Sequence, residues 1–313
     1  MKQYILTVTL NPAIDKIVSV SGFKVGKDFR EEFLSVSAGG KGINVARVLK
    51  NLNVNTTACG FIGGTSGEYI QQQLNQEGIN HDFTPVCGNT RTSLTIIDPD
   101  YNTITRVLER GEKVRKSELN VFEEKFDSLL KNAQVAIFSG RNIPGVRDSF
   151  YGELIDIANR KKVISVLDTS GKAFNLGIKK KPFMIKPNLY ESEQIIEQKL
   201  SNLSGIKKAA YKFYKQGIKI TAITMGSKGA VVFNGKEMLL AVPPKIKRKS
   251  PVGCGDAFIA GFISSFINGK SFSDSSKIAV SCGAANALSI NPGFIKLSIV
   301  KKIFGQVKIK NIF

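Results

Sequence analysis

The chain has 313 residues, 42% of them apolar and 22% charged, enough for one large core or two ordinary ones. That balance excludes a disordered chain, a collagen-like fibre and a coiled coil, and no apolar run reaches the roughly 18 residues of a membrane span. Lys and Arg number 45 against 25 Asp and Glu, a net charge of +20, but the lysines are dispersed and lack the aromatic interleaving of RNA readers. The surplus reads as a solvated basic surface or a field that draws anionic small molecules, with nucleic-acid binding ranked below both.

In chain order, Tyr4–Leu10 is a β-rich run stopped by Asn11-Pro12. It is too short for a signal h-region and has no cleavage pattern after it. Val45, Val48, Leu49 and Leu52 have helical spacing over Asn44–Leu52. Thr56–Ile62 is expected as a strand and Gly67–Glu77 as a helix. Strands over Gln134–Phe138, Val163–Leu167, Phe183–Lys186 and Ile218–Met225 then alternate with helices over Lys116–Leu130, Val146–Arg160 and Leu203–Lys215. This βαβα order predicts an α/β fold with a mainly parallel sheet and helices on both faces. Two period-two pairs interrupt it: Lys16–Phe23 with Glu31–Val36, and Arg91–Asp98 with Thr103–Glu109. They predict a small antiparallel sheet, as an edge extension or a lid that excludes water. No linker or repeat divides residues 1–313, so one domain is expected, with lid segments at about 16–37 and 90–110.

The cysteines Cys59, Cys87, Cys254 and Cys282 are scattered without a C-x-x-C pair. Reduced cytoplasmic thiols are expected rather than a disulfide framework or a zinc site. His81 is the sole histidine, so a Ser-His-Asp triad has one imidazole to draw on. A surface or packing role suits it.

Three segments can carry chemistry. Ser37–Ala46 sets Gly39, Gly40, Lys41 and Gly42 before a helix, where backbone can approach a ligand and the helix N-terminus favours an anion. It is not a Walker A loop, because Gly42 follows the lysine. In Ser250–Asp256, Gly253, Cys254 and Gly255 would present consecutive N–H groups as an anion hole. Asp256 either caps the next helix or accepts a proton from a substrate hydroxyl while those N–H groups neutralise a moving phosphoryl. Lys186–Glu191 closes a strand, where ligands of open α/β sheets gather. Asn188 and Glu191 offer oxygens suited to Mg²⁺ and its waters, or form an ordinary strand-to-helix turn. Gly226–Gly229, in a similar place, is a tight turn by default and a nucleotide-loop candidate in context.

Taken together and in order, Asn11-Pro-Ala-Ile-Asp15, Gly39-Gly-Lys-Gly-Ile-Asn44, Asn188-x-x-Glu191 and Val252-Gly-Cys-Gly-Asp256 resemble the PfkB (ribokinase-like) carbohydrate kinases over nearly the whole chain. Thr9–Asp15, Gly39–Gly42 and Asp168-Thr-Ser-Gly171 look closest to the branch holding 1-phosphofructokinase and tagatose-6-phosphate kinase. The resemblance implies a ribokinase-like fold, ATP and Mg²⁺ as cofactors, and direct in-line transfer to a phosphorylated ketohexose, fructose 1-phosphate first. Tagatose-6-phosphate and 6-phosphofructokinase activities remain open, as does a non-catalytic nucleic-acid-binding protein on the same fold. By resemblance, Asp256 is the base and Gly253, Cys254 and Gly255 line the anion hole. Asp15, Gly39, Gly40 and Asn44 hold the sugar, and Lys41 and Arg91 its phosphate. Asn188 and Glu191 organise Mg²⁺, while Lys186, Asn188, Ser227, Gly229 and Asn286 serve the nucleotide. A homodimer through the lid sheet is also implied. Cys254 and Arg141 depart from the family's usual residues, and Arg141 leaves substrate choice open.

Overall fold

The first apolar run becomes the hub of the main sheet. In the computed structural model, which describes residues 4–313, Tyr4–Thr9 is a strand buried from Ile5 onward, as an interior strand of a parallel sheet should be. It pairs in parallel with Thr56–Ile62 on one side and Ala133–Ser139 on the other. Beyond Ala133–Ser139 the parallel order continues through Ile164–Asp168, Met184–Ile185 and Ile220–Thr224. The expected alternation therefore holds, with boundaries shifted by one or two residues at most strands. The helix expected from Val146 begins at Phe150, because Gly145 has φ 92° and the chain turns there first.

The sheet then reverses. Ala230–Phe233, Met238–Val242 and Lys308–Asn311 add in antiparallel fashion. This edge was not anticipated from the sequence, since its strands have four or five residues, too few for periodicity to register.

Alternate residues of the hub strand feed opposite faces. Leu6 and Val8 join an aromatic-rich cluster with Phe122, Phe126, Phe138 and Phe150. Ile5 joins Val45, Val48, Phe258 and Phe262 on the other face. That second cluster packs the helix Lys41–Asn51 beside the helix Cys254–Ile267. The latter is buried from Asp256 to Ser265, which explains its largely apolar sequence. Both helices start at the C-terminal edge of the parallel strands, so the glycine-rich segments before them converge.

The second sheet has four strands in the order Phe33–Gly39, Ala13–Ser19, Arg91–Asp98, Thr103–Leu108. Its outer pairs are antiparallel, as the period-two patterns imply, while Ala13–Ser19 and Arg91–Asp98 lie parallel at its centre. The chain between those two includes helices and main-sheet strands, and such a long crossover returns the chain in the same direction. Ala13 starts its strand directly after Asn11-Pro12, three residues earlier than Lys16.

Candidate active site

Expected site residues meet at the C-terminal edge of the parallel strands, around one buried cluster of charge. Asp168 ends its strand 1% exposed, and a single oxygen, Oδ1, receives Lys186 Nζ at 3.3 Å and Lys41 Nζ at 3.4 Å. Burial opposes its charge, but Lys186 and then Lys41 outweigh it and hold the carboxyl below the usual carboxylate range. Lys41, the first residue of its helix, is likewise penalised by burial. Asp168, Asp256 and Glu191 reverse that and hold it above the ordinary lysine range.

Asp256 lies in the first turn of its helix, 5% exposed. Its Oδ2 accepts from Asn44 Nδ2 at 2.8 Å. Burial pushes this carboxyl up to about 6, and Asp168 adds to the rise, while Lys41, the Asn44 bond and Lys186 pull the other way. Capping alone would leave the carboxylate solvated at the helix end; here it is withdrawn from water and poised to take a proton near neutral pH. Gly253 precedes it at φ 81°, a left-handed conformation that suits glycine. A Cβ there would also come within 2.8 Å of the Pro292 Cβ. Gly255 lies against Lys186, whose Nζ would be 2.8 Å from an added Cβ. Gly253, Cys254 and Gly255 thus open a helix N-terminus beside an ammonium, a strong setting for an anion. The Cys254 side chain turns aside, its Sγ 3.8 Å from Ser250 O, which leaves the backbone to face a ligand.

Asn188 and Glu191 form a reciprocal cap: Glu191 N donates to Asn188 Oδ1 at 2.8 Å and Asn188 N to Glu191 Oε2 at 2.9 Å. The ordinary strand-to-helix turn and the shared face are both present. Glu191 Oε1 is outside the cap, and Asp168 Oδ2 is buried without any hydrogen-bond partner. Oxygen donors of this kind fit Mg²⁺. Among the described residues no three acidic, His or Cys side chains cluster as a metal cage, so the ion would share few protein oxygens with phosphates and water.

On the small-sheet side, Asp15 nests against Gly39, where an added Cβ would be 2.2 Å from the carboxyl carbon. Burial raises Asp15 against the opposing fields of Arg106, Arg91 and Arg47. Gly40, at φ 119°, is the N-cap that leads Lys41 and Asn44 into the helix. Arg91 opens its strand with Nε donating to Asn11 Oδ1 at 3.0 Å and Nη1 to Ser93 Oγ at 3.1 Å. Burial comes first, with repulsion from Arg106 and Arg141, in holding it below the ordinary guanidinium range.

Two of the residues expected at the nucleotide have their hydrogen-bonding groups engaged within the fold. Asn286 is wholly buried, its Nδ2 donating to Val252 O and its Oδ1 accepting from Gly293 N, both at 2.7 Å. Both ends of the amide are occupied, so it braces the anion loop. Gly229 is buried behind its turn, and its N–H donates to Gly226 O. The turn's exposed face is Gly226, Ser227 and Lys228, beside Asn188, which bridges to Thr224. His81 stands at the sheet's edge on Asn75, far in the fold from this cluster.

Asp168 stands at a strand's C-terminal end, the same signal that marks Asn188 in the sequence. Arg47 lies inside an apolar helix pattern, and its i, i+3 spacing from Asn44 is the cue the sequence offers.

The profile of the pfkB family carbohydrate kinases matches residues 8–297. A 1-phosphofructokinase from Borreliella burgdorferi is 35% identical over 318 residues, with 99% of each chain covered. Among solved structures, phosphofructokinase-2 from Escherichia coli in complex with fructose-6-phosphate superposes with a TM-score of 0.90 at 24% identity, covering 97% of this chain and 99% of that one. The tetrameric inhibited form of that enzyme matches with the same score, identity and coverage. The two structures carry the fold, and the fold expected from the sequence is the one found.

The elevated Asp256 has a consequence for stability. The folded carboxyl keeps its proton up to about pH 6, the unfolded one to about pH 4. The stability this contributes is intact below about pH 4 and is lost as pH rises through about 6. Asp256→Asn stays neutral throughout, so its Tm at pH 7 is expected to equal or exceed that of the wild type, with the gap closing by pH 4. Differential scanning calorimetry across that range checks this; a variant several degrees less stable at pH 7 would contradict it.

Proposed function

Because the chain belongs to the PfkB family of carbohydrate kinases, we propose that it phosphorylates a ketohexose phosphate from ATP, with fructose 1-phosphate as acceptor and fructose 1,6-bisphosphate as product. The observation that supports this most is the buried Asp256 beside the Gly253–Gly255 anion loop, in a chain 35% identical to a 1-phosphofructokinase along its length.

The acceptor hydroxyl lies against Asp256, which takes its proton as the oxygen attacks. The N–H groups of Gly253, Cys254 and Gly255 neutralise charge on the phosphoryl in transit, with Lys186 beside them. Asp15, Gly39, Gly40 and Asn44 hold the sugar hydroxyls. Lys41 and Arg91 pair with the phosphate the sugar already carries, within a group of cations that includes Arg141. Ser227 and Lys228 meet the nucleotide phosphates. Glu191 and Asn188 would hold Mg²⁺, which would supply screening of the repulsion between those phosphates and the attacking oxygen. Transfer is direct, without a phosphoenzyme, so positioning and charge neutralisation supply the rate.

The whole chain acts as one kinase unit, with the small sheet as its lid. Phe33, Leu34, Val107 and Leu108 on that sheet are exposed, and we place a homodimer contact there. Four unpaired cysteines suit a reducing cytoplasm.

An ATP-consumption assay against fructose 1-phosphate, fructose 6-phosphate, tagatose 6-phosphate and fructose tests the reading. Fructose 1-phosphate is expected to be strongly preferred, with Asp256→Asn slower by about 10²–10⁴-fold in kcat. Lys41→Ala and Arg91→Ala are expected to raise KM for the sugar phosphate far more than for ATP. Turnover of fructose alone, or near-normal rates in Asp256→Asn, would overturn it. Light scattering on the eluted protein should give twice the 34.1 kDa chain mass, and Leu34→Glu with Val107→Glu should halve it. A wild-type monomer would remove the dimer from the account.

A further inference from the structure

Arg47 is 3% exposed and lies one helical turn after Asn44, on the same face of the helix Lys41–Asn51. Its Nη1 donates to Asn44 Oδ1 at 3.3 Å and to Pro292 O at 3.2 Å, and its Nη2 to Ala38 O at 2.8 Å. Nε and Nη2 also reach the Glu77 carboxylate at 2.6 and 3.0 Å. The Phe294 ring covers the guanidinium, with its centroid 4.5 Å from Cζ. All three guanidinium nitrogens are engaged, so the group has a fixed position and orientation.

The chemistry of the partners then dictates which way the Asn44 amide faces. A guanidinium only donates, so the amide atom turned to it must be the oxygen. An ionised carboxylate only accepts, so the atom turned to Asp256 must be the –NH₂. Asn44 Nδ2 is the donor to Asp256 Oδ2, at 2.8 Å. Rotating the amide by half a turn would set oxygen against carboxylate oxygen and –NH₂ against guanidinium, two repulsions in place of two bonds.

The same guanidinium spans three parts of the site. Ala38 belongs to the small-sheet strand Phe33–Gly39. Pro292 packs on Gly253, and Gly293, the next residue, is tied through Asn286 to Val252 at the head of the anion loop. Arg47 therefore sets where the carboxylate and the anion loop stand relative to each other.

We propose that Arg47 is a positioning residue for the reaction: it pins the Asn44 amide so that its –NH₂ holds Asp256 facing the acceptor hydroxyl. This rests on the reading of Asp256 as the base. Arg47 touches neither substrate and acts through Asn44. A buried ion pair with Glu77 that served folding alone would predict no coupling to Asn44, and the two roles separate on that point.

The test is a double-mutant cycle with fructose 1-phosphate as acceptor: wild type, Asn44→Ala, Arg47→Lys and the double variant, with Asp256→Asn as a control and Tm recorded for each. Lysine cannot reproduce the fork of a guanidinium. Arg47→Lys is expected to lower kcat about 10- to 100-fold, the scale of one hydrogen bond to a charged group, with KM for ATP within about twofold of wild type. In the Asn44→Ala background the same substitution should cost less than about twofold further, since residues acting through one contact are not additive. Full additivity, or unchanged kcat in Arg47→Lys, would refute the role. Should Arg47→Lys fail to fold, Glu77→Gln loosens the clamp from its outer end. A smaller fall in kcat that vanishes with Asn44→Ala supports the proposal, and one that persists refutes it. Normal turnover by Asp256→Asn would defeat the base assignment and this role with it. An inactive Asp256→Asn alongside an additive cycle defeats the positioning role alone.

Discussion

Two carboxylates and the Lys186 ammonium share a space nearly closed to water, joined by the partly exposed Lys41, and the rest of the site is arranged around keeping them there. Asp168 draws Lys41 and Lys186 onto one oxygen, and Asp256 lies in the fields of all three. Placed alone at the depth of Asp168, Asp256 or Lys186, a charge would neutralise. Together they balance, and because Asp168 takes the larger share of the lysines, Asp256 is the member left poised between its two forms. A base that must release and regain a proton near neutral pH requires that imbalance.

The fold supplies the cluster from separate parts of the chain. Asp168 and Lys186 come from ends of parallel strands, Lys41 and Asp256 from the first turns of two helices packed side by side on one face of the sheet. Helix N-termini contribute partial positive charge where phosphate charge must be met. The small sheet brings Asp15 and Arg91 to the opposite side. Holding Asp256 dry works against the stability of the native state at neutral pH, and the deep apolar packing of Cys254–Ile267 offsets it. Function and stability meet at one residue, as is common in active sites.

The order of elements was legible in the sequence because the strands and helices are long enough to show their periods: Lys116–Leu130 and Leu203–Lys215 fall where the pattern places them. The antiparallel edge was not, since four-residue strands carry little period. Nor was the parallel pairing inside the small sheet, which depends on a crossover that strand pattern alone does not encode. Glycine-rich segments marked the anion loop and the Lys41 helix because their backbone demands are local. The burial of Asn286 and Gly229, with their polar groups engaged inside the fold, was not legible, because it depends on packing. Arg47 shows the converse. A charged residue on an apolar stripe looks like noise until Glu77, Ala38 and Pro292, all from other elements, supply its partners.

The most direct measurement of the central claim is the pH dependence of kcat/KM for the sugar phosphate, taken from pH 4.5 to 9 at constant ionic strength and corrected for the phosphate's own ionisation at about pH 6. That parameter reports the free enzyme's essential base, so a buried Asp256 raised to about 6 should give an acid limb centred near pH 6, with activity falling tenfold per unit below it. An acid limb near pH 4, where a solvated aspartate titrates, or no limb in that range, would contradict the account.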